Sequence, residues 1–211
     1  MLPGRFVTFS FRIGILRNNL SRFMPLSPPA NREPIHQRRV ECRGYRRNDG
    51  LWDIEGHMVD VKTYDFDSTE RGHIEAGTPV HEMWVRITID DDYLIHAAEA
   101  STEYAPYGIC PQAAPPMEKL EGIRIGPGWR REINRRVGGT LGCTHLRELL
   151  GPMATTAVQT LAPLKAKQDA PDSGRGRRPA FLGTCLAYAP DSPVVKRLWP
   201  EHYRGGSDAK E

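Results

Sequence analysis

The sequence has no apolar run close to the ~20 residues that a membrane-spanning helix needs. It contains only four cysteines, spaced far apart, and its formal net charge is just +3. Since no secretory signal is recognisable, we expect a reducing, cytoplasmic compartment, where cysteines serve as metal ligands or free thiols more often than as disulfides. The small net charge does not call for a nucleic-acid partner. We therefore expect a cytoplasmic protein that binds neither membranes nor nucleic acids.

Several functional motifs are also missing. The chain has no Walker motif, no dinucleotide-binding fingerprint and no internal repeat. The acidic turn at Asp90–Asp92 lacks the regularly spaced oxygen ligands of a calcium loop. Hydrophobic residues make up 39% of the 211 residues, which is enough to form the packed core of one domain.

The first 23 residues are basic, contain no acidic residue and are mildly amphipathic. Arg12 interrupts their apolar stretch and no small-residue cleavage site follows, which argues against a targeting peptide. Because Met24 opens a proline-rich stretch typical of a natural start, residues 1–23 are interpreted as an upstream extension of the reading frame. The predicted domain organisation is an extension and lead-in over 1–34, an α+β core over 35–164, a linker over 165–179, and a C-terminal segment over 180–211 that docks on the core and ends in a disordered tail.

The core region shows the pattern of strands followed by helices. "NDG" at 48–50 predicts a tight turn between two strands, and Asp90–Asp92 predicts a second turn between two more. "GWRREINRRVGG" is typical of a short helix, and apolar residues at helical spacing predict a long helix over 144–164. We predict an α+β fold, in which an antiparallel sheet of two hairpins has helices packed on one face.

Four residues are candidates for a metal site, because thiolates and imidazoles are the usual ligands of zinc. His81 stands where the third strand begins, Cys110 follows the fourth strand, and Cys143 and His145 open the long helix. Strand ends and helix starts meet at one edge of such a fold. The alternative is that Cys143 is a buried small hydrophobic residue and His145 covers a capped helix start. Cys42 is interpreted as an ordinary strand residue, and the role of Cys185 stays open.

A second group of residues is polar and aromatic. Four of its members lie on the first hairpin: Tyr45, Arg46, Arg47 and Trp52. We predict that they bind an anionic or aromatic substrate through guanidinium forks and ring stacking. Glu82 and His57 are candidates for moving a proton in catalysis. The alternative is an exposed hairpin with cross-strand ion pairs of little energetic weight.

"PVHEMWVRITID", "YGIC" and "GCTH" resemble, in order and spacing, the iron–sulfur cluster scaffold proteins of the NifU/IscU type. The resemblance covers about residues 79–164 and implies a NifU/IscU-like arrangement, with His81 or Glu82, Cys110, and Cys143 with His145 as the ligand set. It departs from the family where "HE" replaces the first cysteine. That replacement favours a single zinc or iron ion over a cluster.

A more specific resemblance covers residues 24–205. "RRVECRGYRRNDGLWDIEGH", "KTYDF", "IGPGW" and "GCTHLRELLGPMATTAVQT" are similar to blocks of a bacterial family described as the domain of unknown function 2889. This resemblance implies no activity.

Three classes of function remain open. The first is a metal-dependent enzyme, holding zinc or iron, that acts on a small anionic or aromatic organic substrate. The second is a metal or iron–sulfur carrier, and the third is a metal-free α+β domain that binds a ligand. An enzyme needs an enclosed site with an open coordination position, whereas a carrier needs its site at an exposed edge.

We predict that deleting residues 1–23 leaves a folded protein, because they lack both the alternation and the helical stripe that would dock them on a core. Thermal unfolding of the truncated and full chains should give melting temperatures within about 2 °C, the shift that ~0.5 kcal/mol produces in a domain of this size. A much larger fall on truncation would show that the segment is structural.

Overall fold

The computed structural model describes residues 26–168, 179 and 181–205, except for the side chains of residues 167 and 168. The chain divides into two compact units, residues 1–34 and 35–211. Within the described part of the first unit, residues 26–34 contain neither helix nor strand. The predicted extension over 1–23 lies outside the described residues, as do most of the predicted linker and the last six residues.

Four long strands form an antiparallel sheet, which confirms the predicted α+β class. They are β1 His36–Arg46, β2 Trp52–Lys62, β5 Pro79–Ile89 and β6 Ile95–Tyr104, in the order β1-β2-β5-β6. Each predicted hairpin is present, since β1 pairs with β2 and β5 pairs with β6. The stretch between the hairpins contains a small two-stranded sheet of β3 Phe66–Ser68 and β4 Gly72–Ile74.

Within the described residues, three α-helices follow the sheet: α1 Trp129–Val137, α2 Thr144–Gln168 and α3 Pro193–Leu198. Short 3-10 helices lie at Cys110–Ala113, Pro115–Leu120, Gly139–Leu141, Leu186–Tyr188 and Pro200–His202. Helix α2 therefore continues four residues beyond its predicted end. The proline-rich stretch after β6 forms two 3-10 helices and no α-helix, because its prolines lack the backbone N–H groups that an α-helix needs. Within the described chain, no helix is long and apolar enough to cross a membrane.

Helix α2 covers one face of the sheet, and the core lies between them. Alternate residues of β2 and β5 point to this face and are buried, as Ile54 and Ile87 illustrate, while their neighbours point to the uncovered face. From the helix side, Leu149 and Met153 are buried against the strands. The sheet thus has one apolar, covered face and one polar, solvated face.

Helix α2 approaches β2 closely at Gly56. A Cβ atom at this position would lie 2.7 Å from Sδ and 2.9 Å from Cγ of Met153. The absence of a side chain on β2 therefore sets how near the helix lies to the sheet.

We predict that Gly56→Val lowers the free energy of unfolding by about 1–3 kcal/mol, the usual cost of overfilling a packed core. The double variant with Met153→Ala should lose less than the sum of the two single losses, because the smaller side chain makes room for the valine. Chemical denaturation measures both effects. Gly126→Val is the control, since no atom lies within 4 Å of a Cβ placed there; equal losses at both glycines would contradict the close approach.

Candidate functional site

A row of polar residues crosses the covered face of the sheet near one end. Arg38 of β1 stands opposite Asp60 of β2, and Asp60 stands opposite His81 of β5. All three side chains lie on the covered face, at the end where helix α2 begins. Strand register and side-chain alternation therefore bring a cation, a carboxylate and an imidazole together under a helix.

Asp60 is the centre of this row, and it is only 1% exposed. Arg38 donates two hydrogen bonds to it, from Nε to Oδ1 and from Nη2 to Oδ2, each 2.7 Å long. Burial alone raises the pKa of Asp60, but the Arg38 guanidinium, with His81 and His36, outweighs it and the net pKa is lowered. Asp60 is therefore an ionised carboxylate in a buried position, which is stable only because it is paired.

Arg38 is shared between two carboxylates. Its Nη1 donates a 2.8 Å hydrogen bond to Oε2 of Glu148, one turn along helix α2 from His145. The pair thus ties β1 to helix α2.

The protonation of His81 follows from its contact with Asp60. Nδ1 of His81 lies 3.1 Å from Oδ2 of Asp60. Because an ionised carboxylate only accepts hydrogen bonds, Nδ1 must carry the proton and Nε2 keeps a free lone pair. Burial, and then the neighbouring His145, lower the pKa of His81 despite the opposing effect of Asp60. His81 is therefore a neutral imidazole in a fixed orientation, the state in which histidine binds metals.

His145 reaches the same place from the start of helix α2. Its ring centroid lies 3.9 Å from that of His81, with the planes tilted by 33°. On its other side, Nδ1 lies 3.8 Å from Sγ of Cys143. This contact raises the pKa of His145, and it lowers that of Cys143, where hydrogen bonding outweighs the effect of burial. The contact therefore brings the pKa values of the thiol and the imidazole closer together.

Asp60, His81 and His145 form a possible metal-binding cluster. One ligand atom from each lies within 4.8 Å of the other two. Across the part of the chain that the structure describes, no other group of three Cys, His, Asp or Glu ligand atoms meets this distance. Asp60 was not predicted as a ligand from the sequence. It shares one face of β2 with Trp52, Ile54 and Met58, and this alternation marks it as a charged residue on a largely apolar strand face.

Two of the four predicted metal ligands, His81 and His145, belong to this cluster, and Cys143 lies beside it. Cys110 does not belong to it. The chain leaves the sheet after Tyr104 of β6, which pairs with Glu82 of β5 on the side away from Asp60. The order of the four predicted ligands along the sequence suggested that they share one edge of the fold. In the sheet, however, β5 lies between β6 and β2, so the end of β6 is separated from the strand that carries Asp60.

The predicted catalytic pair, Glu82 and His57, lies on the opposite face of the sheet. Nε2 of His57 is 3.0 Å from Oε1 of Glu82, and the His57 ring stacks on Trp84 with centroids 3.7 Å apart. Glu82 follows His81 directly in a strand, so the two side chains point in opposite directions. These residues form a surface cluster of their own and do not reach His81 and His145.

The four predicted substrate-binding residues are at the far end of the first hairpin. Trp52 begins β2 and Asp60 lies eight residues later, about 26 Å away at ~3.3 Å per residue. Arg46 lies over the Trp52 ring at 5.8 Å, and Arg47 is paired with Asp49 at 2.6 Å. Tyr45, in β1 next to Arg46, is largely exposed. The four residues therefore lie near the turn of the first hairpin, away from the Asp60–His81–His145 cluster.

The two remaining cysteines differ in environment. Cys42 lies in β1 and packs partly buried against the core, and this burial raises the pKa of its thiol. Cys185 is exposed and lines a cavity beside helix α2. Neither lies in the cluster.

Comparison with known proteins yields one match. Residues 36–159 match the model of a family described as protein of unknown function (DUF2889), and this stretch includes Asp60, His81 and His145. Neither the curated proteins nor the solved structures contain a match. The resemblance to NifU/IscU-type scaffold proteins therefore has no support.

We predict that Arg38→Met lowers the free energy of unfolding by about 3 kcal/mol at pH 7, near the lower end for breaking a buried ion pair because Arg38 is 36% exposed. The variant leaves the Asp60 carboxylate buried without its main partner. The pKa of Asp60 is lowered in the folded state, so the pair stabilises the fold above the ordinary aspartate pKa of about 3.9 and this contribution is lost as the pH falls below it.

The difference between parent and Arg38→Met should therefore shrink on acidification, which denaturation at pH 7 and at lower pH will measure. Arg43→Met is the matched control, since its partner Glu41 is exposed and such pairs contribute about 0–1 kcal/mol. A loss no larger at Arg38 than at Arg43 would contradict the importance of the buried pair.

Proposed function

Because the chain belongs to the DUF2889 family of proteins of unknown function, its activity has to be inferred from its own residues, and we propose that it is a metal-binding protein that holds one zinc or iron(II) ion at Asp60, His81 and His145. The observation that carries this proposal is the convergence of three ligand atoms within 4.8 Å of one another under the start of helix α2.

The chemistry of the donors fits these metals. Two imidazoles and one carboxylate form a ligand set found in catalytic zinc sites and in non-haem iron(II) sites. Asp60 is ionised and His81 is neutral, so two of the three ligands are already in their metal-binding states. The pKa of His145 is raised, so protons compete with the metal at this ligand more than at His81.

Arg38 is compatible with a metal at Asp60. Each carboxylate oxygen has two lone pairs, and Arg38 occupies one on each. Oδ2 also accepts the Nδ1–H of His81, and Nε2 of His36 lies 3.4 Å from Oδ1. For Asp60 to hold the ion, the metal would take the place of the hydrogen bond from His81. Arg38 would then orient the carboxylate, as outer hydrogen-bond partners do at many metal sites.

The stacked rings imply that one side chain moves on metal binding. His81 and His145 face each other with their planes only 33° apart, whereas two imidazoles on one ion must both point their ring edges at it. His145 would turn about its side-chain bonds to do so. Cys143 is placed to become a fourth ligand, because its Sγ lies 3.8 Å from Nδ1 of His145, close to the about 3.6 Å that separates a thiolate and an imidazole on one tetrahedral zinc.

The position of the cluster favours an enzyme over a carrier. A carrier exchanges its metal at an exposed edge, but Asp60 is 1% and His81 15% exposed. When Asp60, His81 and His145 are the only protein ligands, a coordination position is left for water or a substrate, and Cys143 as a fourth ligand would fill it in a tetrahedral site. We therefore favour a metal-dependent enzyme that acts on a small organic substrate.

We predict that protein purified without added metal contains about one equivalent of zinc or iron, measured by elemental analysis. His81→Ala and His145→Ala should each lose nearly all of it, since even an outer partner of a ligand costs about 10–100-fold in affinity. His57→Ala is the matched control, because His57 lies on the opposite face of the sheet. Cys143→Ser should weaken binding if the thiolate is the fourth ligand and leave it unchanged if the site has three.

Metal added to chelator-treated protein gives a second measurement. An ion at 100 times its Kd should stabilise the fold by about 2.7 kcal/mol. Little metal in the purified parent, together with an unchanged melting temperature when zinc or iron(II) is added, would exclude the metal site.

A further inference from the structure

A large cavity lies between helices α1 and α2 and residues 181–188 of the C-terminal segment. Its volume is about 1010 Å³, at the upper end of the roughly 300–1,000 Å³ range of small-molecule sites. None of the residues predicted to bind a substrate lines it.

The walls of the cavity are largely apolar and aromatic. Trp129 and Ile133 of α1 face it from one side, and Phe181 and Tyr188 from another. The indole N–H of Trp129 is buried and has no acceptor among the described residues. These walls suit a ligand with a flat or apolar body that offers a hydrogen-bond acceptor.

Helix α2 leaves room on its side of the cavity. Gly151 lines the cavity, and a Cβ at this position would meet no atom within 4 Å. Ala154 is the next lining residue along the helix. At Gly151 and Ala154 the helix thus presents small residues to the cavity.

The polar residues of the cavity carry excess positive charge. Arg130 and Arg147 both line it, and neither is paired with a carboxylate among the residues that the structure describes. Arg147 donates only to the neutral amide of Asn134, at 3.1 Å. The one lining carboxylate, Glu148, already accepts a hydrogen bond from Arg38. A guanidinium without a carboxylate partner is a ready site for an organic anion.

We propose that this cavity binds a small organic anion, with an aromatic or apolar body against Trp129 and Tyr188 and a carboxylate between Arg130 and Arg147. The proposal goes beyond the metal site and does not require it, because no cavity-lining residue is one of the three proposed metal ligands. The two sites are nevertheless adjacent. Glu148, which lines the cavity, shares Arg38 with Asp60.

Calorimetric titration of chelator-treated, full-length protein with 2-naphthoate tests the proposal. The matched neutral compound is 2-naphthamide, which has the same rings and no charge. We expect the parent to bind 2-naphthoate at least tenfold more tightly than 2-naphthamide. Arg130→Ala combined with Arg147→Ala should remove most of this preference and change the affinity for the amide little. Arg135→Ala, on the same helix α1 but paired with Glu132, should leave both affinities unchanged.

Filling the cavity provides a second variant that does not depend on charge. Gly151→Leu places a side chain in the open space without a clash at Cβ, and leucine is a better helix former than glycine. This variant should keep the melting temperature of the parent and lose binding of both compounds. No binding to the parent, equal affinities for acid and amide, or undiminished binding in Gly151→Leu would each overturn the proposal. Because the protein is metal-free throughout, a failure here leaves the metal measurements unaffected.

Discussion

The buried ion pair between Asp60 and Arg38 is the constraint on which the rest of the site depends. A carboxylate that is 1% exposed has to be compensated, and the guanidinium does so from the neighbouring strand. Once ionised, Asp60 determines which nitrogen of His81 carries the proton. Arg38 also contacts Glu148, so the same pair links the edge strand to helix α2. One electrostatic requirement thus orients an imidazole and ties the sheet to the helix.

The sheet separates two kinds of polar chemistry. On the covered face, a single charged row lies at the end of an apolar surface, where a low effective dielectric strengthens its interactions. On the uncovered face, His57, Glu82 and Trp84 form contacts of similar geometry in reach of water. His81 and Glu82 are adjacent in sequence and still belong to different faces. Position along the chain is therefore a poor guide to which of these groups act together.

The sequence patterns predicted the fold well and the site only in part. The alternation of apolar and polar residues and the turn residues were sufficient to predict the four long strands, because these patterns depend only on neighbouring residues in the sequence. The meeting of His81 with His145 also followed from a strand start and a helix start. Cys110 is not part of the Asp60–His81–His145 cluster, and it follows β6, whose place in the sheet depends on strand pairing that no local pattern reports. Asp60 was missed because its ionisation depends on Arg38, 22 residues earlier in the chain. The cavity follows from the placement of α1, α2 and the C-terminal segment, which local patterns do not specify.

The family match and the cavity have different extents along the chain. The match ends at residue 159, whereas Phe181 and Tyr188, which wall the cavity, come later. The matched stretch contains Asp60, His81 and His145, but it does not contain the C-terminal residues that form one wall of the cavity. The three cluster residues and this wall of the cavity are therefore encoded in separate parts of the gene. An exchange of the C-terminal segment would replace the rings of Phe181 and Tyr188 at the cavity wall and leave Asp60, His81 and His145 unchanged.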